Sequence, residues 1–136
     1  MEAKTLMIGD WISHESTIGE KTGRIMALHV NRHLDGDDVV EVAYDNGEWQ
    51  TFRDMAQIKP IPLTKEILEK NFEKKTFYGI YDDYFDLDIR EWSDGIYIVT
   101  YHNCEMNIPD QTVNVGYLHE LQHFLRHCGI EKEIEP

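Results

Sequence analysis

Cysteine is scarce in this chain. Cys104 and Cys128 are its only two, too few for a disulfide scaffold and without the spacing of a zinc knuckle. They read as reduced thiols of a cytosolic chain. Positive charge is also short: 13 Lys and Arg stand against 26 Asp and Glu, a formal net charge of −13. Such a field repels phosphate backbones, and the few basic residues do not cluster with aromatics, so direct nucleic-acid binding is not expected. The excess acid keeps a protein soluble. It also suits a basic protein partner, or a decoy that imitates nucleic acid before a protein that binds it. Long apolar runs are missing. The stretch 96–99 falls far short of the roughly 20 residues a membrane span requires, and residues 1–5 lack the basic and apolar regions of a secretory signal. The expected location is cytoplasmic, with no membrane association. There is no phosphate-binding glycine loop, internal repeat or low-complexity segment.

What is present is enough for a core: 41% of the residues are apolar, as one compact domain or two small lobes. Residues 6–12, 23–30, 39–44, 48–52 and 57–59 read as short strands. A polar turn over 33–38 and the hairpin signal Asp45-Asn46-Gly47 punctuate them. This rhythm predicts a small SH3-like β-barrel over residues 1–60, with Trp11, Ile25, Val40, Val42 and Phe52 in its core. Pro60 and Pro62 hold the next stretch extended. Thr64 then caps a helix over 64–71, and strands follow over 76–101. There Phe85, Leu87 and Ile89 alternate with Asp86, Asp88 and Arg90. A last helix over 115–128 stops at Gly129 in a left-handed cap. The expected class is α+β: barrel, helix, antiparallel β-meander, helix, with the second portion spanning 61–136.

His119-Glu120-Leu121-Gln122-His123 matches H-E-x-x-H, the pattern in which two imidazoles one helical turn apart bind zinc and the glutamate activates its water. A zinc-dependent hydrolase with His119 and His123 as ligands and Glu120 as base is therefore one alternative. The helical wheel argues against it. Counting about 100° per residue from Leu118, residues Leu121, Leu125 and Cys128 cluster on one side, while His119, His123 and His127 fall near 100°, 140° and 180°. The histidines are expected on a solvated face. All three span about 12 Å along a straight helix, too far to share one ion. No catalytic, cofactor-binding or metal residue is assigned on this reading.

Asp82, Asp83, Asp86 and Asp88 resemble a cation site but lack the calcium-loop pattern; they read as a turn and a solvated strand face. Ser13, His14 and Glu15 are consecutive, which puts no catalytic triad within reach. Trp11, Trp49, Tyr44 and Phe52 lie on barrel strands, where such side chains fill the core or line a peptide-binding surface.

Three segments together, residues 6–12, 61–71 and 117–123, resemble an uncharacterised family of small proteins of Bacteroides-type gut bacteria, often found in prophage-like or other mobile regions. The family carries no assigned reaction. The resemblance implies that the His-Glu-Leu-Gln core of the last helix is retained while the position of His123 varies, so a zinc site is not the helix's purpose. The leading expectation is a non-enzymatic protein-binding or accessory module of phage or mobile-element origin.

Overall fold

The computed structural model describes residues 6–16, 19–29, 39–53, 57–104 and 109–136. The fold is α+β, mostly antiparallel sheet with two helices, and it divides into two compact units, Met1–Ile61 and Pro62–Pro136. No helix among the described residues is long and apolar enough to cross a membrane.

The first unit is an antiparallel sheet of β1 (Trp11–Ser16), β2 (Gly19–His29), β3 (Val39–Ala43), β4 (Trp49–Phe52) and β5 (Lys59–Pro60), in the order β4-β3-β2-β1-β5. In β3 the alternation of Val-Val-Glu-Val-Ala buries Val40 and Val42 and leaves Glu41 partly exposed. The β3–β4 hairpin closes on Gly47 at φ 84°, and Asn46 Oδ1 accepts from Glu48 N at 3.0 Å. The core gathers Leu6, Ile12, Ile25, Val40, Val42, Phe52 and Ile58. β2 carries a bulge at Met26, between the pairs Ile25↔Val42 and Ala27↔Glu41.

Three expectations change here. The sheet does not close into a barrel among the described residues; β4 and β5 remain its edges. The opening strand is shifted to Trp11–Ser16, because residues 7–10 form a turn. Gly9 takes φ 94°, Met7 N donates to Asp10 Oδ2 at 2.8 Å, and Asp10 N donates to Met7 O at 3.1 Å. Those local bonds outweigh the apolar composition of the segment. Trp11 is only half-buried, with the Arg24 guanidinium 5.1 Å from its ring, because its neighbour Ile12 takes the inward face of the strand. The turn expected over 33–38 lies outside the described residues.

The second unit runs α1 (Lys65–Asn71), β6 (Glu73–Lys74), β7 (Tyr78–Tyr81), β8 (Phe85–Ser93), β9 (Ile96–Asn103), β10 (Gln111–Val115) and α2 (Leu118–His127). The strands form an antiparallel meander in the order β10-β9-β8-β7-β6. Thr64 caps α1, its Oγ1 accepting from Ile67 N at 3.3 Å. Cross-strand pairs Leu87↔Tyr101, Ile89↔Val99 and Tyr97↔Val115 place buried side chains on one face of the sheet. Leu68, Leu118, Leu121 and Leu125, all fully buried, supply the apolar cover from the helices.

β10 and the short β6 were not expected. The last helix begins at Leu118 rather than 115 because Gln111–Val115 pairs with β9. α2 ends in a Schellman cap: Ile130 N donates to Leu125 O at 2.9 Å and Gly129 N to Arg126 O at 3.0 Å, with Gly129 at φ 77°.

Candidate functional site

The His-Glu-Leu-Gln-His segment lies on α2, and the structure assigns its side chains differently from the helical wheel. His119 is buried, 8% exposed, while His123 is half-buried and His127 is exposed. The solvated face expected for all three therefore holds only for the last. A wheel treats the helix as having one buried side, whereas α2 is covered over a wider arc. The rings of His119 and His123 meet edge-on, their centroids 5.6 Å apart, and Tyr117 stacks on His119 at 6.0 Å. Among the described residues no group of three or more His, Cys, Asp or Glu side chains gathers as a metal site.

Glu120 has a definite task. Its Oε1 accepts from Gly116 N at 3.0 Å and from Tyr117 N at 3.1 Å, satisfying backbone donors at the start of α2. A carboxylate held this way caps its helix. Glu120→Gln keeps an accepting oxygen and is expected to retain most of the stability, whereas Glu120→Ala is expected to lose about 1 kcal/mol. Urea denaturation of both variants checks the ordering.

Beside this cap lies an open groove of about 550 Å³. It is lined by Asp94, Gly95 and Ile96 at the β8–β9 turn, by Asn114 and Val115 at the end of β10, and by Pro62, Gly116, Tyr117 and Glu120. Ile96 and Tyr117 are each 41% exposed. Backbone pairing positions these parts: Leu63 N donates to Gly116 O at 3.0 Å, and Pro62 bridges Tyr117. Gly116 allows the close approach, since a Cβ there would stand 3.3 Å from Gly95 O.

On the same hairpin, Trp92 is 71% exposed. It is the extra residue of a bulge between the pairs Glu91↔Tyr97 and Ser93↔Ile96. The inward phase of Phe85, Leu87 and Ile89 falls next on Glu91, so Trp92 stands out of phase, and that slip was the available signal. Patterning had not singled out Ile96, Tyr117 and Pro62 as a shared surface, because they come from separate elements.

The remaining constellations are accounted for locally. Asp82 Oδ1 accepts from Tyr84 N at 3.2 Å within the β7–β8 turn. Asp88 accepts from the Tyr81 hydroxyl at 2.8 Å; burial, followed by this bond, pushes Tyr81 up to about 12. Ser13 donates to Glu20 Oε1 at 3.0 Å. His14 is buried, with Nδ1 3.2 Å from Glu15 O and Nε2 2.6 Å from the Tyr44 hydroxyl. The Tyr44 hydroxyl donates to Gln50 Oε1 at 3.1 Å. Lys21 Nζ sits 3.7 Å from the centre of the Tyr44 ring. Trp49 is exposed, and Phe52 is in the core. Cys104 is exposed; burial raises the Cys128 thiol.

His102 Nδ1 pairs with Asp110 Oδ1 across the β9–β10 connection. That bond, then the charges of Asp110 and Asp86, raise the imidazole above its ordinary 6.5 against the lowering effect of desolvation. The pair's stabilisation is complete below about pH 6.5 and fades as pH rises through the elevated value. In an NMR titration, Asp110→Asn should lower the His102 midpoint. An unchanged midpoint would remove the pair as its cause.

No protein-family model, curated protein or solved structure matches this chain.

Proposed function

We propose that the protein is a non-enzymatic protein-binding module, with an SH3-like first unit and an α+β second unit that carries the binding groove. The single observation that carries this reading is the groove itself. It is open, exposes Ile96 and Tyr117 to solvent, and is bordered by a glutamate whose carboxylate already caps a helix. Apolar side chains displayed on a concave surface gain free energy when a partner covers them. The strand order β4-β3-β2-β1-β5, with a tight β3–β4 hairpin, supports the SH3-like assignment of the first unit. The sequence resemblance to a mobile-element family supports a phage-related setting.

The test has two arms. Partners cross-linked to the full chain in its native cells are purified and titrated against wild type and Ile96→Asp. A partner that binds wild type directly and the variant at least about tenfold more weakly supports the reading, as expected for a central apolar contact. Stoichiometric zinc, with hydrolytic turnover lost in Glu120→Gln while that variant stays folded, would overturn it in favour of a hydrolase built on His119, His123 and Glu120.

A further inference from the structure

Resting on the groove being a protein-binding site, we infer that it receives an arginine side chain of the partner. The guanidinium sits among Gly95, Asp94 and Glu120, and the hydrocarbon stem lies on Ile96. All four of these residues line the groove.

The groove presents acceptors and has spent its nearest donors. Its charged lining residues are Asp94 and Glu120, and no Lys, Arg or His lines it. The N–H groups of Gly116 and Tyr117, at the start of α2, would otherwise attract an anion. Both already donate to Glu120 Oε1, at 3.0 and 3.1 Å. An acidic ligand therefore meets two carboxylates and finds these donors taken, while a basic one is drawn in. Asp94 is exposed and forms no ion pair among the described residues, so its charge is open to a ligand.

Gly116 fixes where the cation goes. Its missing side chain leaves a gap: the position a Cβ would take is 3.3 Å from Gly95 O and 3.9 Å from Glu120 Oε1. A carbonyl and a carboxylate thus face one point. A group filling it has two acceptors to serve at once. Guanidinium does so with a planar fork of N–H donors, whereas ammonium is a compact point charge. The Tyr117 ring, 41% exposed and part of the same lining, adds to the preference, because arginine stacks on aromatic rings.

The apolar lining separates arginine from a bare cation. Ile96 is 41% exposed, and Val115 and Pro62 also line the groove. A metal ion would leave that surface wet, and among the described residues no group of three or more His, Cys, Asp or Glu side chains gathers to hold one. The methylene stem of arginine covers apolar surface while its charged head reaches the acceptors.

The probes are N-acetylarginine methylamide and its lysine and citrulline counterparts, titrated by NMR into the isotope-labelled full chain. The arginine probe should shift the amides of Gly95, Ile96, Val115 and Gly116, with the roughly millimolar affinity of so small a ligand. The lysine probe should bind more weakly. The citrulline probe, which keeps the shape and loses the charge, should bind more weakly still. Asp94→Asn and Glu120→Gln should each weaken the arginine probe roughly two- to fivefold, and so should added salt. Asn-Gly suits a tight turn as well as Asp-Gly does, and glutamine keeps a capping oxygen, so both variants should fold; circular dichroism checks that they do. Lysine or citrulline binding as tightly as arginine, shifts away from the groove, or no shift at all overturns the inference. A purified partner that loses affinity in Ile96→Asp but not in Asp94→Asn also overturns it, and leaves the binding-module reading intact. Arginine-induced shifts at the groove, with no partner sensitive to Ile96→Asp, overturn that wider reading and with it the partner as the source of the guanidinium.

Discussion

Gly79→Ala is expected to destabilise the second unit by more than about 3 kcal/mol, enough to unfold it or drive it into aggregates. Gly79 lies on β7 opposite Asp88 of β8 and is buried. A Cβ at this position would stand 1.9 Å from the Leu87 carbonyl oxygen, 3.0 Å from its carbon and 3.1 Å from the Tyr81 hydroxyl. The first two are backbone atoms in a paired strand, so relief requires β7 to move away from β8. The space is taken on the other side as well: the Tyr81 hydroxyl reaches back to within 3.1 Å of Phe77 O while bonding Asp88. Gly95→Ala provides the contrast. Gly95 has φ 76° and nothing within 4 Å of its added methyl, so only backbone strain of about 1–2 kcal/mol opposes that change. Urea unfolding of the two variants side by side should show a clear gap. A Gly79→Ala protein within about 0.5 kcal/mol of wild type would disprove the close approach of β7 and β8.

Gln122→Leu is expected to cost about 2–6 kcal/mol, although leucine is close to glutamine in size. Gln122 is 2% exposed, and both ends of its amide are engaged with the tail that follows α2. Nε2 donates to Lys132 O at 2.8 Å, and Oε1 accepts from Ile134 N at 2.8 Å. The side chain thus acts as a strand partner for a segment without regular structure, and it seats Ile134, which is fully buried. Leucine would leave both peptide groups unsatisfied, each costing about 1–3 kcal/mol. Asn71 does the same for Glu135, donating to its carbonyl at 2.7 Å and accepting from its N–H at 2.9 Å. Gln122→Glu keeps the acceptor for Ile134 but sets a carboxylate against the Lys132 carbonyl, and should also destabilise. Denaturant unfolding combined with hydrogen exchange at Ile134 reads both effects. A leucine variant with wild-type stability and a protected Ile134 amide would show that the tail is held by other means.

The elements most legible in the sequence were those specified by neighbours in the chain. Val40 and Val42 alternate with Glu41, Thr64 precedes an apolar helical turn, and Gly129 follows the last one; each is read within a few residues. β10 was missed because the alternation of Thr112 and Asn114 with Val113 and Val115 covers only two apolar residues and no hairpin signal precedes it. Its strand character comes from pairing with β9. The candidate site was less legible still. The motif that drew notice, His119 to His123, is split in the structure between a buried ring, a helix cap and a half-buried ring. The groove beside it joins Pro62, the tip of β8–β9, the end of β10 and the start of α2.

By itself the sequence determined the class of the fold, the strong hairpin and helix stops, the acidic field and the apolar faces of β3 and β8. All of these follow from period, turn chemistry and charge, which act locally or sum over the whole chain. Only the tertiary structure decided that His119 is buried, that Glu120 is a cap, that Gln122 is a tether and that Gly79 has no room for a methyl group. Burial and hydrogen-bond satisfaction depend on which distant segments arrive at a side chain, and that is settled by packing rather than by spacing along the chain.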